Sequence, residues 1–529
     1  MTTSPLLTLT VVPEDIVQFD ADVLVVNLFE GVLKPGGATA AVDKALKGAI
    51  TRELEVSERF SGKLGETFII HTHQLLCARY VVLVGLGKAK DLNSQALRRA
   101  SAAAIRACMR LKIETVATIL HGAGIGGFNP TEAARLLTEG VLLGAYKFTK
   151  HKTRSNAADT GSIAAPNQAT PEADTDEKGP KAPVEIQTIT IVEQDENKID
   201  AVQEGIRWGQ VIARNVNLAR DWVFDSPNHI TPTFLRDQAK AIKGLQCKIL
   251  EMKDIQKLGM GAFHLVARGS DEPPFLIHLS YKPKSPRKRV AIVGKGITFD
   301  SGGLSLKPAK SMELMKMDMA GAAAALCTIR AIAELGQLDI QVDVFVPTCE
   351  NMPSAHSSRP GDIVTSMKGK TIEVNNTDAE GRLILCDALT YAQKEVQPDE
   401  IIDLATLTGA CVVALGKVAS GILGTGQELI DKLREAGDKA GEKYWQLPLY
   451  DEYKDALKSD VADLINAGSG GEAGTSAAGM FLKEFIEDNR AWAHLDIAGP
   501  AYTSKDLPEV PKGATGVGVR TLLYYLYGL

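Results

Sequence analysis

The sequence predicts an α/β protein of two domains, and three observations carry that expectation. Short apolar runs of strand type alternate with helical patterns along both halves of the chain, as they do where helices cover a sheet. A length of 529 residues exceeds what a single hydrophobic core usually organises. Between 155 and 183 the alternation stops, and the only large apolar residue there is Ile163.

In the first half, strand-like runs at 6–12, 23–27, 80–85 and 115–120 interleave with helical patterns at 38–52 and 94–111, which reads as an α/β sandwich. The 155–183 stretch is rich in Ala, Asp, Thr, Pro, Asn and Glu, too poor in apolar surface to offset its ordering entropy, so it reads as a flexible insertion. Strand character returns at 184–192, so the insertion interrupts a first domain spanning 1–198. Ile199, Val202, Ile206, Ala213, Val216 and Ala219 share one helical face, and Pro227 follows an Asp-Ser pair, giving a connecting helix at 199–224. The remaining 225–529 carries strands near 289–293, 339–346, 371–374, 400–404 and 492–496, expected to form a mainly parallel central sheet flanked by helices. There is no internal repeat.

Composition is that of an ordinary water-soluble protein, 45% apolar and 23% charged. With 59 Lys plus Arg against 65 Asp plus Glu, the net charge of −6 gives no support to nucleic acid as the main partner. Seven cysteines, odd in number and never spaced Cys-x-x-Cys, indicate neither a disulfide framework nor a thiolate zinc site. No basic-then-apolar leader and no apolar run of membrane-spanning length stand in the sequence, so a cytoplasmic protein without a membrane partner is expected.

The chemistry concentrates in the second half, in charges expected just past strand ends, where open parallel sheets place ligands. After the 289–293 strand come Lys295, Asp300, two glycines and Lys307; Asp318 falls in the early turns of a helical pattern at 311–335; Asp378, Glu380 and Arg382 crowd one turn after the 371–374 strand. An extended backbone would send Asp378 and Glu380 to the same side. Alone, each acid is explained as a cap or turn residue, but together these charges lie at small-residue positions beside apolar strands, where unpaired charge is costly. Four carboxylates exceed what one zinc takes; they suit two divalent cations about 3.5–4 Å apart and hence hydrolysis. No histidine falls among them, so oxygen ligands dominate and Zn, Mn, Co and Mg are all admissible.

Asn376-Thr-Asp-Ala-Glu-Gly-Arg-Leu383, with Val293-Gly-Lys-Gly-Ile-Thr-Phe-Asp-Ser-Gly-Gly303 and Lys307, closely resembles the leucyl aminopeptidase (cytosol aminopeptidase) family across 225–529. The first domain, with Asp20-Ala-Asp-Val-Leu-Val-Val-Asn27 and Pro35-Gly-Gly-Ala38, resembles the layout of macro domains. The family resemblance implies that Asp300, Asp378 and Glu380 hold one metal and Lys295, Asp300, Asp318 and Glu380 the other, with Asp300 and Glu380 bridging. Zinc and/or manganese are the implied ions. A lysine amine ligates only when neutral, so Lys295 is expected to have a depressed pKa. Lys307 is implied to polarise the scissile carbonyl and Arg382 to hold a bicarbonate acting as general base while a bridging hydroxide attacks. Substrates would be peptides with a free N-terminus, their first side chain, Leu or another apolar residue, entering a pocket of Met315, Thr406, Gly409, Ala498 and Ala501. The resemblance also implies a homohexamer.

Two other functions share parts of this pattern: a two-metal phosphoester hydrolase, and a DNA- or ADP-ribose-binding scaffold acting through the first domain. The glycine-rich 468–479 segment lacks the Gly-Lys-Ser/Thr ending of a phosphate loop and reads as a wall of the active site. Gly122, Gly124, Gly126 and Gly127 read as a turn.

Overall fold

The computed structural model describes residues 7–56, 59–152, 185–468, 471–488 and 490–529. The expected insertion at 155–183 lies outside the described residues.

A six-stranded sheet organises the first half, in the order Thr8–Val12, Thr188–Val192, Thr115–Thr118, Val23–Leu28, Tyr80–Gly85, Thr67–His71. All neighbours run parallel except the last strand, which is antiparallel to Tyr80–Gly85. Its inner strands are apolar on both faces because both are covered. Val23, Val25, Val82 and Val84 pack with Leu97 and Leu137 on one side, while Leu24, Val26, Val81 and Leu83 meet Val42, Leu46 and Ile50 on the other. The single helix expected at 38–52 is two, Gly37–Ala45 and Ala49–Val56, because Lys47 and Gly48 take left-handed conformations (φ 54° and 79°) between them.

Helix Ile199–Phe224 runs for 26 residues between the halves, against helix Pro130–Gly144 on one side and helix Ala320–Leu335 on the other. Gly205 and Gly209 set its approach to Pro130–Gly144: an added Cβ would stand 2.2 Å from the Thr131 carbonyl oxygen or 2.7 Å from that of Arg135. The last helix, Val519–Tyr527, joins this seam. There Glu139 is fully buried, 3.6 Å from Arg98 Nη1 and 3.0 Å from Arg135 Nη1, and the Tyr524 hydroxyl donates to its Oε1 at 2.9 Å. Glu139→Ala would leave two buried guanidinium groups without their counterion. We expect it to lower stability by about 3–5 kcal/mol, read as a fall in the urea midpoint; an unchanged midpoint would contradict this account of the seam.

The second sheet has nine strands and is mainly parallel. Its centre is Ala491–Asp496, Glu400–Ala405, Lys288–Gly294 and Ile340–Asn351, all mutually parallel. Phe275–Tyr281 and Gln246–Glu251 continue one edge antiparallel, and Ala419–Gly424 and Lys443–Gln446 complete the other. One face packs on helices including Ala320–Leu335, the other on helices including Gly381–Val396.

Three local expectations are corrected. Gly296–Asp300, expected only as chain past the end of the 289–293 strand, is itself a strand paired with the far end of Ile340–Asn351. Thr371–Val374 has the expected bounds but belongs to a separate three-stranded sheet with Asp362–Thr365 and Leu464–Ile465. The 311–335 helix is divided into Ala309–Met312, a 3-10 turn Met315–Met317 and Ala320–Leu335, so Asp318 precedes the long helix. The long helix begins where it does because the Ala322 amide donates to the Lys295 carbonyl at 2.8 Å, docking its first turn on the chain leaving the sheet.

Candidate metal centre

Lys295 leaves the central strand Lys288–Gly294 with its backbone clamped: its amide donates to the Leu404 carbonyl at 3.0 Å and its own carbonyl accepts from Ala322. The side chain is therefore aimed, and its Nζ lies 2.8 Å from Asp318 Oδ2, 2.9 Å from Glu380 Oε1 and 3.1 Å from the Thr406 carbonyl oxygen. Gly381 makes the room, since a Cβ there would sit 2.6 Å from Lys295 Nζ.

Asp300 ends the strand Gly296–Asp300. Its Oδ1 accepts from the Gly302 amide at 2.9 Å and Asn351 Nδ2 at 2.8 Å, leaving Oδ2 for Lys307 Nζ at 2.8 Å. Asp318 is oriented by the Thr406 hydroxyl, which donates to its Oδ1 at 2.7 Å. One carboxylate oxygen each from Asp300, Asp318 and Glu380 lies within 4.8 Å of the others, and all three residues are buried.

Asp378 joins differently. The 376–380 segment is a turn rather than extended backbone: Asn376 Oδ1 accepts the Asp378 amide at 2.9 Å, and Glu380 already has helical angles (φ −74°, ψ −33°) as the cap of Gly381–Val396. Glu380 therefore points inward, while the Asp378 side chain stays one-third exposed and reaches the cluster through its ion pair with Lys307. Arg382 is buried beyond them, its Nη1 donating to the Asn466 carbonyl at 2.8 Å and its Nε without a partner.

Burial and the neighbouring Asp300 push the pKa of Glu380 upward, and burial above all does the same for Asp318. For Lys295, burial lowers the pKa but Asp318, Glu380 and Asp300 together outweigh it, so the protein's own charges hold the ammonium form above its ordinary range. The depressed value expected for Lys295 is thus not a property of the polypeptide alone. Lys307 is likewise held charged, and burial pulls Arg382 down to about 10.

These residues fit divalent cations. Four carboxylates face two lysines, and Glu380, 1% exposed, has an Oε2 without any hydrogen-bond partner. If Glu380 and Lys295 both ligate an ion, binding displaces the proton that burial favours on Glu380 and one from Lys295. Because both losses are easier at high pH, we expect affinity to fall on acidification and calorimetric heats to vary with the buffer's ionisation enthalpy. Buffer-independent heats would contradict the assignment.

The expected pocket residues fall on different elements. Thr406 is integral to the centre. Met315 lies in the 3-10 turn before Asp318, Gly409 opens helix Gly409–Leu415, and the Ala498 amide donates to Asp496 Oδ1 at 3.2 Å. Ala501 is 2% exposed and packs within the apolar core. Residues 469 and 470 of the expected wall loop lie outside the described residues, and its end forms helix Gly474–Lys483. Sequence reasoning missed Asn466 and Asn351. Fully buried Asn466 accepts from the Asn375 amide at 3.0 Å and donates to the Asn376 carbonyl at 2.7 Å, holding the acidic turn from 90 residues away. Asn351 had a usable signal, a polar residue closing a long apolar strand. Asn466 had none.

Residues 217–523 match the model of the cytosol aminopeptidase family, catalytic domain, and residues 25–155 that of the family's N-terminal domain. A probable cytosol aminopeptidase of Geobacter sp. (strain M21) is 44% identical over 507 residues, 95% of this chain and 96% of the relative. Among solved structures, a mutant of tomato leucine aminopeptidase superposes with a TM-score of 0.84 at 32% identity, covering 100% of this chain and 98% of that one. The bottromycin maturation enzyme BotP in complex with Mn gives 0.80 at 32% identity over 96% of this chain and 99% of that one. Among the described residues no helix is long and apolar enough to cross a membrane.

Proposed function

This chain belongs to the cytosol aminopeptidase family and is a metal-dependent aminopeptidase, and on that premise we propose that its catalytic centre is the carboxylate–lysine cluster at the carboxyl end of the second sheet. Asp300, Asp378 and Glu380 would hold one divalent ion and Lys295, Asp300, Asp318 and Glu380 a second, zinc or manganese. What supports this reading most is the burial of Asp300, Asp318 and Glu380 with their oxygens within 4.8 Å of one another. Paired divalent ions supply a water acidic enough to attack a peptide carbonyl at neutral pH and an electrophile for that carbonyl.

The polypeptide supplies the rest. Lys307, anchored by Asp300 and Asp378, presents a fixed positive charge to the carbonyl oxygen and stabilises the oxyanion. Arg382, buried and with an unpaired Nε, is suited to a small anion; bicarbonate there would serve as the base for the attacking water. Thr406 keeps Asp318 and Lys295 in place. Met315, Thr406, Gly409, Ala498 and Ala501 would shape the space for a first side chain such as Leu, with Ala501 acting from behind the wall. A homohexamer in the cytoplasm, and domain limits at 1–198, 199–224 and 225–529, complete the reading.

The direct test is substrate choice. We expect the protein to hydrolyse leucyl-p-nitroanilide and to leave its N-acetylated form intact, because the free amine is part of what is bound. Equal rates on both would overturn the proposal.

A further inference from the structure

Among the described residues, one other group of side chains places ligating atoms at metal range: His151, Asp225 and His229. Asp225 caps the end of helix Ile199–Phe224 and is 3% exposed. Its Oδ1 lies 2.6 Å from His151 Nε2 and 3.6 Å from His229 Nδ1. Tetrahedral zinc, with bonds of about 2.0–2.1 Å, sets its donor atoms roughly 3.3 Å apart, between those two spacings. The imidazole rings stack with centroids 4.9 Å apart, His229 Nδ1 lies 3.0 Å from the Ser226 hydroxyl, and both side chains are nearly half exposed, so turning the two rings toward Asp225 Oδ1 would let them share one ion with water beside it.

The carboxylate is ready for that role. Burial would raise its pKa, but Lys150 and His151 outweigh it and hold the group down at about 2. Lys150 Nζ takes the other oxygen, Oδ2, at 2.6 Å, and the Ser226 amide donates to Oδ1 at 2.8 Å. Outer partners of this kind orient metal-bound carboxylates. None of these residues belongs to the carboxylate–lysine centre.

We propose that His151, Asp225 and His229 form an accessory zinc site, completed by water, that ties the segment after helix Pro130–Gly144 to the end of helix Ile199–Phe224. The tie reaches the catalytic half: the Phe224 carbonyl, next to Asp225, accepts from Lys316 Nζ at 2.7 Å, and Lys316 lies in the turn just before Asp318. This site is independent of the proposed catalytic centre and stands whether or not that assignment does.

The test separates the two. In full-length Glu380→Ala protein dialysed against zinc, adding His229→Ala or His151→Ala should lower the zinc content found by elemental analysis by one ion per chain, whatever the carboxylate–lysine centre retains. An unchanged zinc content in either double variant would overturn the proposal. A second measurement needs no variant: carbethoxylation of His151 and His229 in the wild-type chain, mapped by mass spectrometry. Zinc at ten times its dissociation constant should slow both about 10-fold and leave exposed His356 unaffected. Equal reaction of all three with and without zinc would also overturn it.

Discussion

Glu380→Ala should strip the catalytic centre of its divalent ions and reduce hydrolysis of leucyl-p-nitroanilide to below about one-thousandth of wild type. No other residue of the cluster has its position. Glu380 is 1% exposed, its Oε1 is 2.9 Å from Lys295, and its other oxygen has no polypeptide partner. Burial raises its pKa, and repulsion from Asp300 and Asp318 adds to that. Truncation removes one negative charge from a site whose affinity for cations rests on an excess of them. It also frees Lys295 to pair with Asp318 alone, so the amine is less available to an ion. A cavity left by a side chain in contact mainly with polar groups should disturb folding little, and the urea midpoint of the metal-free variant is expected near that of metal-free wild type. Near-normal turnover with ions retained would remove Glu380 from the centre.

Arg382→Ala should behave differently, lowering kcat about 10²–10⁴-fold, the range of a lost general base, while the metal content stays at the wild-type level. Arg382 is the second residue of the helix Gly381–Val396, two positions after Glu380, yet its Nη1 donates to the Asn466 carbonyl rather than to one of the carboxylates. Its charge is buried, which lowers its pKa to about 10, still charged at neutral pH. An unpaired buried guanidinium nitrogen is costly unless an anion meets it. Removing it should therefore act on catalysis rather than on ligation. Arg382→Lys should recover little, since a lysine lacks the planar fork. Equal loss of ions and of rate would make Arg382 a structural residue.

The α/β character and the charged residues were legible in the sequence because both leave local marks. Val23–Leu28 and Tyr80–Gly85 are continuous apolar runs buried on both faces, and the acidic turn compresses three charges into five residues. What local marks cannot carry is partnership. Thr371–Val374 looks like any strand, and only its pairing with Asp362–Thr365 and Leu464–Ile465 puts it outside the main sheet. The 311–335 pattern keeps helical spacing throughout, but docking of Ala322 on Lys295 starts the long helix late and leaves Asp318 in a turn. Gly296–Asp300 was hidden because a strand opened by glycine has weak intrinsic preference. The inward aim of Glu380 against the half-outward Asp378 follows from an Asn376 side-chain turn that an extended reading of the motif could not show. Asn466 is the clearest limit, since its role depends wholly on distant chain being brought beside the motif.

The central claim is that the buried carboxylates and Lys295 hold two divalent ions side by side. Anomalous scattering from manganese-loaded crystals tests it most directly. Two peaks about 3.5–4 Å apart, enclosed by Lys295, Asp300, Asp318, Asp378 and Glu380, are the expected result; a single peak, or manganese bound only elsewhere, would contradict it.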